Sequence, residues 1–183
     1  MAIFLTSDCH FNHQNIIVYE KDSRPFNTVE EMNEKIIENW NSVVSNDDEV
    51  YVLGDFFMGK IEDIEPILTR LNRKQIYLIR GNHDTSNRIK IYENHGIIVK
   101  DIAYLNYKGK FLILCHFPIA SNEFVEMVRT NHQTDTVVCY GHIHSQAPHG
   151  YSDGTYHVGV DTNDLTPVLI DDLINNCWKT EEN

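Results

Sequence analysis

Apolar residues fall along this chain in short runs, and most of the runs stop at a polar residue able to bind a metal or carry a proton. Ala2 to Ser7, Val50 to Leu53, Gln75 to Ile79 and Thr136 to Tyr140 are short and rich in β-branched and aromatic residues, so they predict buried strands. Between the early strands the period lengthens. Thr28 to Ser45 predicts a helix: Thr28 and Glu31 have capping-box spacing, and Met32, Ile36, Trp40 and Val43 form a helical buried stripe. Ile61 to Leu71, with Pro66 near its first turn, and Thr85 to Asn94, stopped by Gly96, predict two more helices. Phe11 to Phe26 reads as a loop closed by Pro25.

From Ile97 the rhythm changes. Ile97 to Leu105 and Lys110 to Leu114 predict a hairpin about a turn containing Gly109. Asn122 to Asn131 predicts a short helix and Thr155 to Val160 a last strand, in which His157 is read as a structural histidine. Thr166-Pro167 has the chemistry of a helix start, opening a closing helix to about Asn175. Strands alternate with helices in the first half, which argues for a largely parallel sheet in an α/β protein. At 183 residues, the expectation is one domain over 1–183 with an ample core.

Composition narrows the function. No apolar run approaches the roughly 20 residues of a membrane span. Met1 to Leu5 lacks the basic flank and length of a signal peptide, so a cytoplasmic protein with no membrane partner is expected. Cys9, Cys115, Cys139 and Cys177 form no CxxC pair and read as reduced, buried thiols. A net charge of −12 argues against a polymeric nucleic-acid partner. It leaves room for small phosphorylated substrates if metal ions supply local positive charge.

The polar strand ends carry the chemistry. Ser7 is followed by Asp8-Cys9-His10, Leu53 by Gly54-Asp55, Ile79 by Arg80-Gly81-Asn82-His83-Asp84, Leu114 by Cys115-His116, and Tyr140 by Gly141-His142-Ile143-His144. In extended backbone, residues two apart share a face, so Asp8 with His10, and His142 with His144, can converge. In a parallel sheet the C-terminal strand ends share one edge, where ligands bind. Asp8, His10, Asp55, Asn82, His116, His142 and His144 exceed the ligand set of one tetrahedral zinc and suit two metals. Oxygen and imidazole donors without thiolate favour Mn²⁺, Fe, Zn²⁺ or Ni²⁺. His83 with Asp84 reads as an acid and its orienter. His13 and Arg24, in the first loop, are candidates to meet a substrate phosphate.

Asp8-x-His10, Gly54-Asp55, Gly81-Asn82-His83-Asp84, His116 and Gly141-His142-x-His144 together resemble the signature motifs of the calcineurin-like metallophosphoesterases, in family order. Ser7-Asp8-x-His10-Phe11-x-His13-x-Asn15-Ile16-Ile17 and Arg24-Pro25-Phe26 resemble a small bacterial and phage branch of that family. The resemblance implies a four-layer α/β/β/α sandwich of two mixed sheets flanked by helices. It implies one metal on Asp8, His10 and His144, a second on Asn82, His116 and His142, and Asp55 as the bridge. Of the metals, Mn²⁺ is favoured. A metal-activated hydroxide would attack phosphorus in line, and His83, oriented by Asp84, would protonate the leaving oxygen. A small phosphorylated substrate is expected, a nucleotide included, and the apparent lack of a long cap-forming insertion favours phosphodiesters. Phosphomonoester hydrolysis and a catalytically silent binding scaffold are the alternatives.

Overall fold

In the computed structural model, residues 1–119, 126, 127, 130 and 135–178 are described. Among these residues, ten strands build two five-stranded sheets. β1 (Ile3–Thr6), β2 (Glu49–Val52), β3 (Gln75–Ile79) and β4 (Ile98–Lys100) run parallel, and β10 (Val168–Leu169) joins β1 antiparallel, giving the order β10-β1-β2-β3-β4. β5 (Ala103–Tyr107), β6 (Lys110–Leu114), β7 (Thr136–Tyr140), β9 (Thr155–His157) and β8 (Tyr151–Ser152) form the second sheet in that order. β6, β7 and β9 are parallel, with β5 and β8 as antiparallel edges.

The alternation of each central strand divides its side chains between two cores. Val50 and Val52, like Ile76 and Leu78, enter one cluster with Met32, Ile36 and Trp40 of α2 (Val29–Val43), Ile64 and Leu68 of α3 (Ile64–Leu68), and Tyr92 of α4 (Ser86–Asn94). Their neighbours Tyr51, Leu53 and Ile79 face the other way and meet Leu112, Leu114, Val137 and Cys139 between the sheets. Ile170, Leu173 and Ile174 of α5 (Ile170–Cys177) join that inner core. Phe111, Ile113, Val138 and Tyr140 point to the outer side of the second sheet. Period-two strands buried on both faces leave little solvent-facing sheet, which is the α/β sandwich expected.

Several sequence expectations need correction. A four-residue helix, α1 (Ile16–Tyr19), interrupts the first loop. α2 starts where expected, with the Thr28 side chain accepting the Glu31 N–H, but Glu31 reaches back to the Asn27 N–H. Its stripe runs through Val29, Asn33 and Ile37, and Val43 is exposed. Ile61 to Leu71 is a 3₁₀ turn followed by the short α3. The run from Ile97 to Leu105 is two strands: β4 pairs with β3 in the first sheet, and β5 opens the second, its hairpin turning on Lys108 and Gly109, both at positive φ. Periodicity cannot assign a strand to a sheet, because both sheets demand the same alternation. Thr166-Pro167 leads into β10, and α5 starts only at Ile170. The helix expected over 122–131 lies outside the described residues. Among the described residues, no helix is long and apolar enough to cross a membrane.

Candidate metal centre

β1, β2 and β3 end side by side in the first sheet, and β6 and β7 in the second. Their C-terminal ends meet across the interior. The Ser7 hydroxyl donates to Leu53 O at 2.7 Å, Ser7 bridges Gly159, and His116 Nδ1 donates to the same Leu53 carbonyl at 2.7 Å. Each candidate motif therefore lands at one seam between the two sheets.

Convergence is achieved by turns, not by extended backbone. Asp8 (φ 57°), His10 (48°), Asp55 (53°), His142 (75°) and His144 (49°) all occupy the left-handed region. That region disfavours L residues by roughly 1–2 kcal/mol each, and Asp, Asn and His tolerate it better than most. The expectation that Asp8/His10 and His142/His144 share the face of an extended strand is replaced by this geometry. Close approach also needs missing side chains. A Cβ on Gly141 would sit 1.9 Å from Ser7 Oγ and 2.3 Å from Asp8 Oδ2, and one on Gly54, itself at φ +92°, 2.4 Å from His116 Nδ1.

Two tight groups of donor atoms result, Asp8–His10–His144 and Asp8–Asp55–His116, each within 4.8 Å. Asp55 Oδ2 lies 3.6 Å from His10 Nε2 and 3.5 Å from His116 Nε2, so it approaches a histidine of each group. Asn82 Oδ1 is 3.0 Å from His116 Nε2. The His142 N–H donates to Asp8 Oδ2 at 2.9 Å, and its ring centre lies 5.1 Å from that of His116. All seven predicted ligand residues are thus brought together. Their other atoms are held in place: with His116 Nδ1 on Leu53 O and His144 Nδ1 on Asp161 Oδ2 at 2.8 Å, Nε2 is the nitrogen each ring has left to ligate.

The fit to cations shows in what lacks a partner. Asp8 Oδ1 and both ring nitrogens of His10 are buried and make no hydrogen bond. An unpartnered buried polar group costs about 1–3 kcal/mol, and a coordinated cation would satisfy Asp8 Oδ1 and one of the two His10 nitrogens. The charges agree. Burial pushes the Asp8 carboxyl up and drives the His10 imidazole well below its ordinary value, so His10 is a neutral donor. Burial also opposes ionisation of Asp55, but the hydrogen bond and charge of His116 outweigh it and hold that carboxyl at about 2. His116 and His144 are raised despite burial, by Asp55 and Asp8 for the first and by Asp161 and Asp8 for the second.

His83 sits at the mouth with its side chain 38% exposed, Nε2 3.9 Å from Asp55 Oδ2 and its ring 5.4 Å from that of His10. Its N–H donates to Asp55 Oδ1 at 2.8 Å and its carbonyl accepts Arg88 Nη1 at 2.9 Å. Asp84 is not its orienter. The buried Asp84 carboxylate accepts the N–H groups of Asp55 (2.8 Å), Gly81 (2.9 Å) and Phe56 (3.4 Å), and the Tyr92 hydroxyl (3.3 Å). It shapes the loops that carry the donors.

His13 lies beside the group, its ring 5.1 Å from that of His10. Arg24 does not face a substrate. It is fully buried, and its guanidinium is taken up by Asp161, Asp8 O and Cys9 O. A lone arginine in a loop reads as exposed because its partner is 137 residues away. Asp161 was not among the sequence candidates, since it follows the last strand outside any motif. Cys9 and Cys115 are buried, and desolvation raises both thiols to about 12, so neither is a reactive neighbour of the centre.

Residues 1–159 match the calcineurin-like phosphoesterase superfamily domain. The chain belongs to that superfamily. It is 43% identical over 121 residues to an uncharacterized protein of Methanocaldococcus jannaschii, a stretch covering 65% of this chain and 60% of that protein. The chain thus spans about 60% of the length of this curated relative. Among solved structures, a protein of unknown function from Aquifex aeolicus superposes with a TM-score of 0.75 at 22% identity, over 95% of this chain and 98% of the other. An archaeal phosphodiesterase matches with a TM-score of 0.50 at 25% identity, over 87% of this chain and 82% of the other. The two mixed sheets flanked by helices are the fold of this superfamily.

Proposed function

We propose that this chain is a metallophosphoesterase that prefers phosphodiesters and works through a two-metal centre. Asp8, His10 and His144 would hold one ion, Asn82, His116 and His142 the other, with Asp55 between them. The observation that carries this reading is the buried, unpartnered set of Asp8 Oδ1, His10 Nδ1 and His10 Nε2 at the seam of the two sheets. Oxygen and imidazole donors without a thiolate favour Mn²⁺, with Fe, Zn²⁺ or Ni²⁺ as alternatives. Divalent ions held by these residues would supply Lewis-acid charge for the phosphoryl oxygens and acidify water for attack on phosphorus.

The remaining work falls to the chain. His83, half-open to solvent and tied through its own backbone to Asp55 and Arg88, would protonate the leaving oxygen. A groove of about 330 Å³ adjoins Asn82 and His116 and is walled by Arg80, Asp101, Phe117 and Ile119. The Phe117 ring is 46% exposed and stands edge-on to both His116 and His142. An apolar wall beside an arginine suits the organic half of a diester, nucleotides included. His13, beside His10, would contact the phosphoryl group. The archaeal phosphodiesterase neighbour supports the diester preference. By contrast, the larger cavity along α2, about 640 Å³, is lined by Phe26, Lys35 and four glutamates, Glu30, Glu31, Glu34 and Glu38, whose excess negative charge would disfavour a phosphate. Four free, buried cysteines suit a reducing, cytoplasmic setting, with residues 1–183 acting as one domain.

The test is hydrolysis of bis-p-nitrophenyl phosphate beside p-nitrophenyl phosphate, with metal-stripped protein given Mn²⁺, Zn²⁺, Ni²⁺ or Mg²⁺ singly. Metal-restored cleavage faster on the diester, and lost in Asp55→Asn, is expected. Two bound ions with no turnover of either ester would overturn the assignment.

A further inference from the structure

Arg24 and Asp161 form a buried pair that touches Asp8 and His144 of one donor group, and of the other only the Asp8 that both groups share. Arg24 Nε donates to Asp161 Oδ1 at 2.7 Å and Nη2 to Oδ2 at 2.8 Å, a two-pronged contact with both side chains fully buried. Each partner also reaches onward. Arg24 Nη2 donates to Asp8 O at 2.6 Å and Nη1 to Cys9 O at 3.0 Å. Asp161 Oδ2 accepts His144 Nδ1 at 2.8 Å, and Oδ1 accepts the Ser23 hydroxyl at 2.8 Å. One ion pair therefore fixes the main chain of Asp8 and His10's neighbour Cys9 on one side, and the His144 ring on the other. These residues surround the Asp8–His10–His144 donor group. His116, in the other group, is fixed by the Leu53 carbonyl instead.

We infer that Arg24 and Asp161 are positioning residues for the cation held by Asp8, His10 and His144, and set its affinity independently of the second ion. The inference rests on the two-cation reading above. Asp161 keeps the proton of His144 on Nδ1, so Nε2 presents its lone pair to the ion. Arg24 fixes the plane of the Asp161 carboxylate and ties down the carbonyls of Cys9 and of the left-handed Asp8. A pair that only stapled the core would destabilise the fold without favouring one ion over the other.

The measurement is Mn²⁺ titration by calorimetry, with bound metal counted after dialysis, on wild type, Asp161→Asn and Arg24→Lys. Wild type is expected to bind two ions. Asp161→Asn keeps the shape but faces His144 Nδ1 with an amide, and should weaken one ion by about 10–100-fold while leaving the other unchanged. Arg24→Lys, which keeps the charge and loses the fork, should weaken the same ion. Equal weakening of both ions, or of neither, overturns the inference. If Asp161→Asn does not fold, ¹⁵N spectra of the metal-free wild-type protein decide through the His144 tautomer. A proton on Nδ1 supports the inference, and a neutral ring protonated on Nε2 overturns it. Two ions bound without ester hydrolysis would sink the phosphoesterase reading alone. Fewer than two ions in wild type would sink both.

Discussion

Asp84 Oδ2 holds the Asp55 N–H at 2.8 Å, so the carboxylate next to His83 in sequence secures the loop of Asp55 and leaves the His83 ring free. Asp84→Asn replaces one accepting oxygen with a donor facing N–H groups. Loss of about 2 kcal/mol or more is expected from the stranded donors. For a chain of this size that is a fall in melting temperature of roughly 4–8 °C. Thermal unfolding of the metal-free protein checks it, and an unchanged midpoint would refute the loop-shaping role.

His83→Ala removes a half-exposed ring whose backbone does the structural work. Unfolding and bound metal should stay at wild-type values while diester hydrolysis falls by about 10²–10⁴-fold. A loss of metal in this variant would mean that His83 is a ligand.

His157 is buried between Thr162, which meets its Nδ1 at 2.7 Å, and an unpartnered Nε2. Burial lowers it to about 4. Its folded value lies below its unfolded one, so the unfolded chain takes up the proton first as pH falls. Stability from the neutral ring is whole above about pH 6.5 and is lost between there and pH 4, amounting to up to about 3 kcal/mol. Urea unfolding of metal-free protein across that range should have a steeper pH slope in wild type than in His157→Gln. Parallel slopes would show that His157 does not contribute.

Two glycine substitutions separate close approach from turn geometry. Gly96→Ala, at φ +76° with open space about it, should cost only about 1 kcal/mol. Gly141→Ala drives a methyl into Ser7 and Asp8, and should cost about 3 kcal/mol together with the binding of at least one cation. Denaturant midpoints and metal counts on both variants check the contrast.

The sequence was most legible where chemistry and strand ends coincide. All seven predicted ligands meet, because an apolar run ending in Asp, Asn or His is a local signal and the parallel strands of two packed sheets bring such ends to one seam. What failed was long-range or backbone-borne. Nothing local says that Arg24 pairs with Asp161, that Asp84 serves Asp55 rather than His83, or that β4 and β5 belong to different sheets. The left-handed turns were equally hidden, although Asp and His just beyond a strand are the residues that best tolerate them.

Under the two-metal reading, those turns would tie the stability of the chain to its metal supply. Asp8, His10, Asp55, His142 and His144 hold unfavourable backbone angles, and Asp8 and His10 bury atoms that no other described residue satisfies. A bound cation offsets these costs in the folded state alone, and stabilises it in proportion to the logarithm of cation concentration. Starved of metal, the seam between the sheets should be the first part to open, and proteolysis should begin there. Timed digestion with and without Mn²⁺ would read this directly, with early cuts after β1, β2 and β7 only when metal is withheld. The centre would then act as a fuse, marking idle copies for removal as well as equipping loaded ones for chemistry.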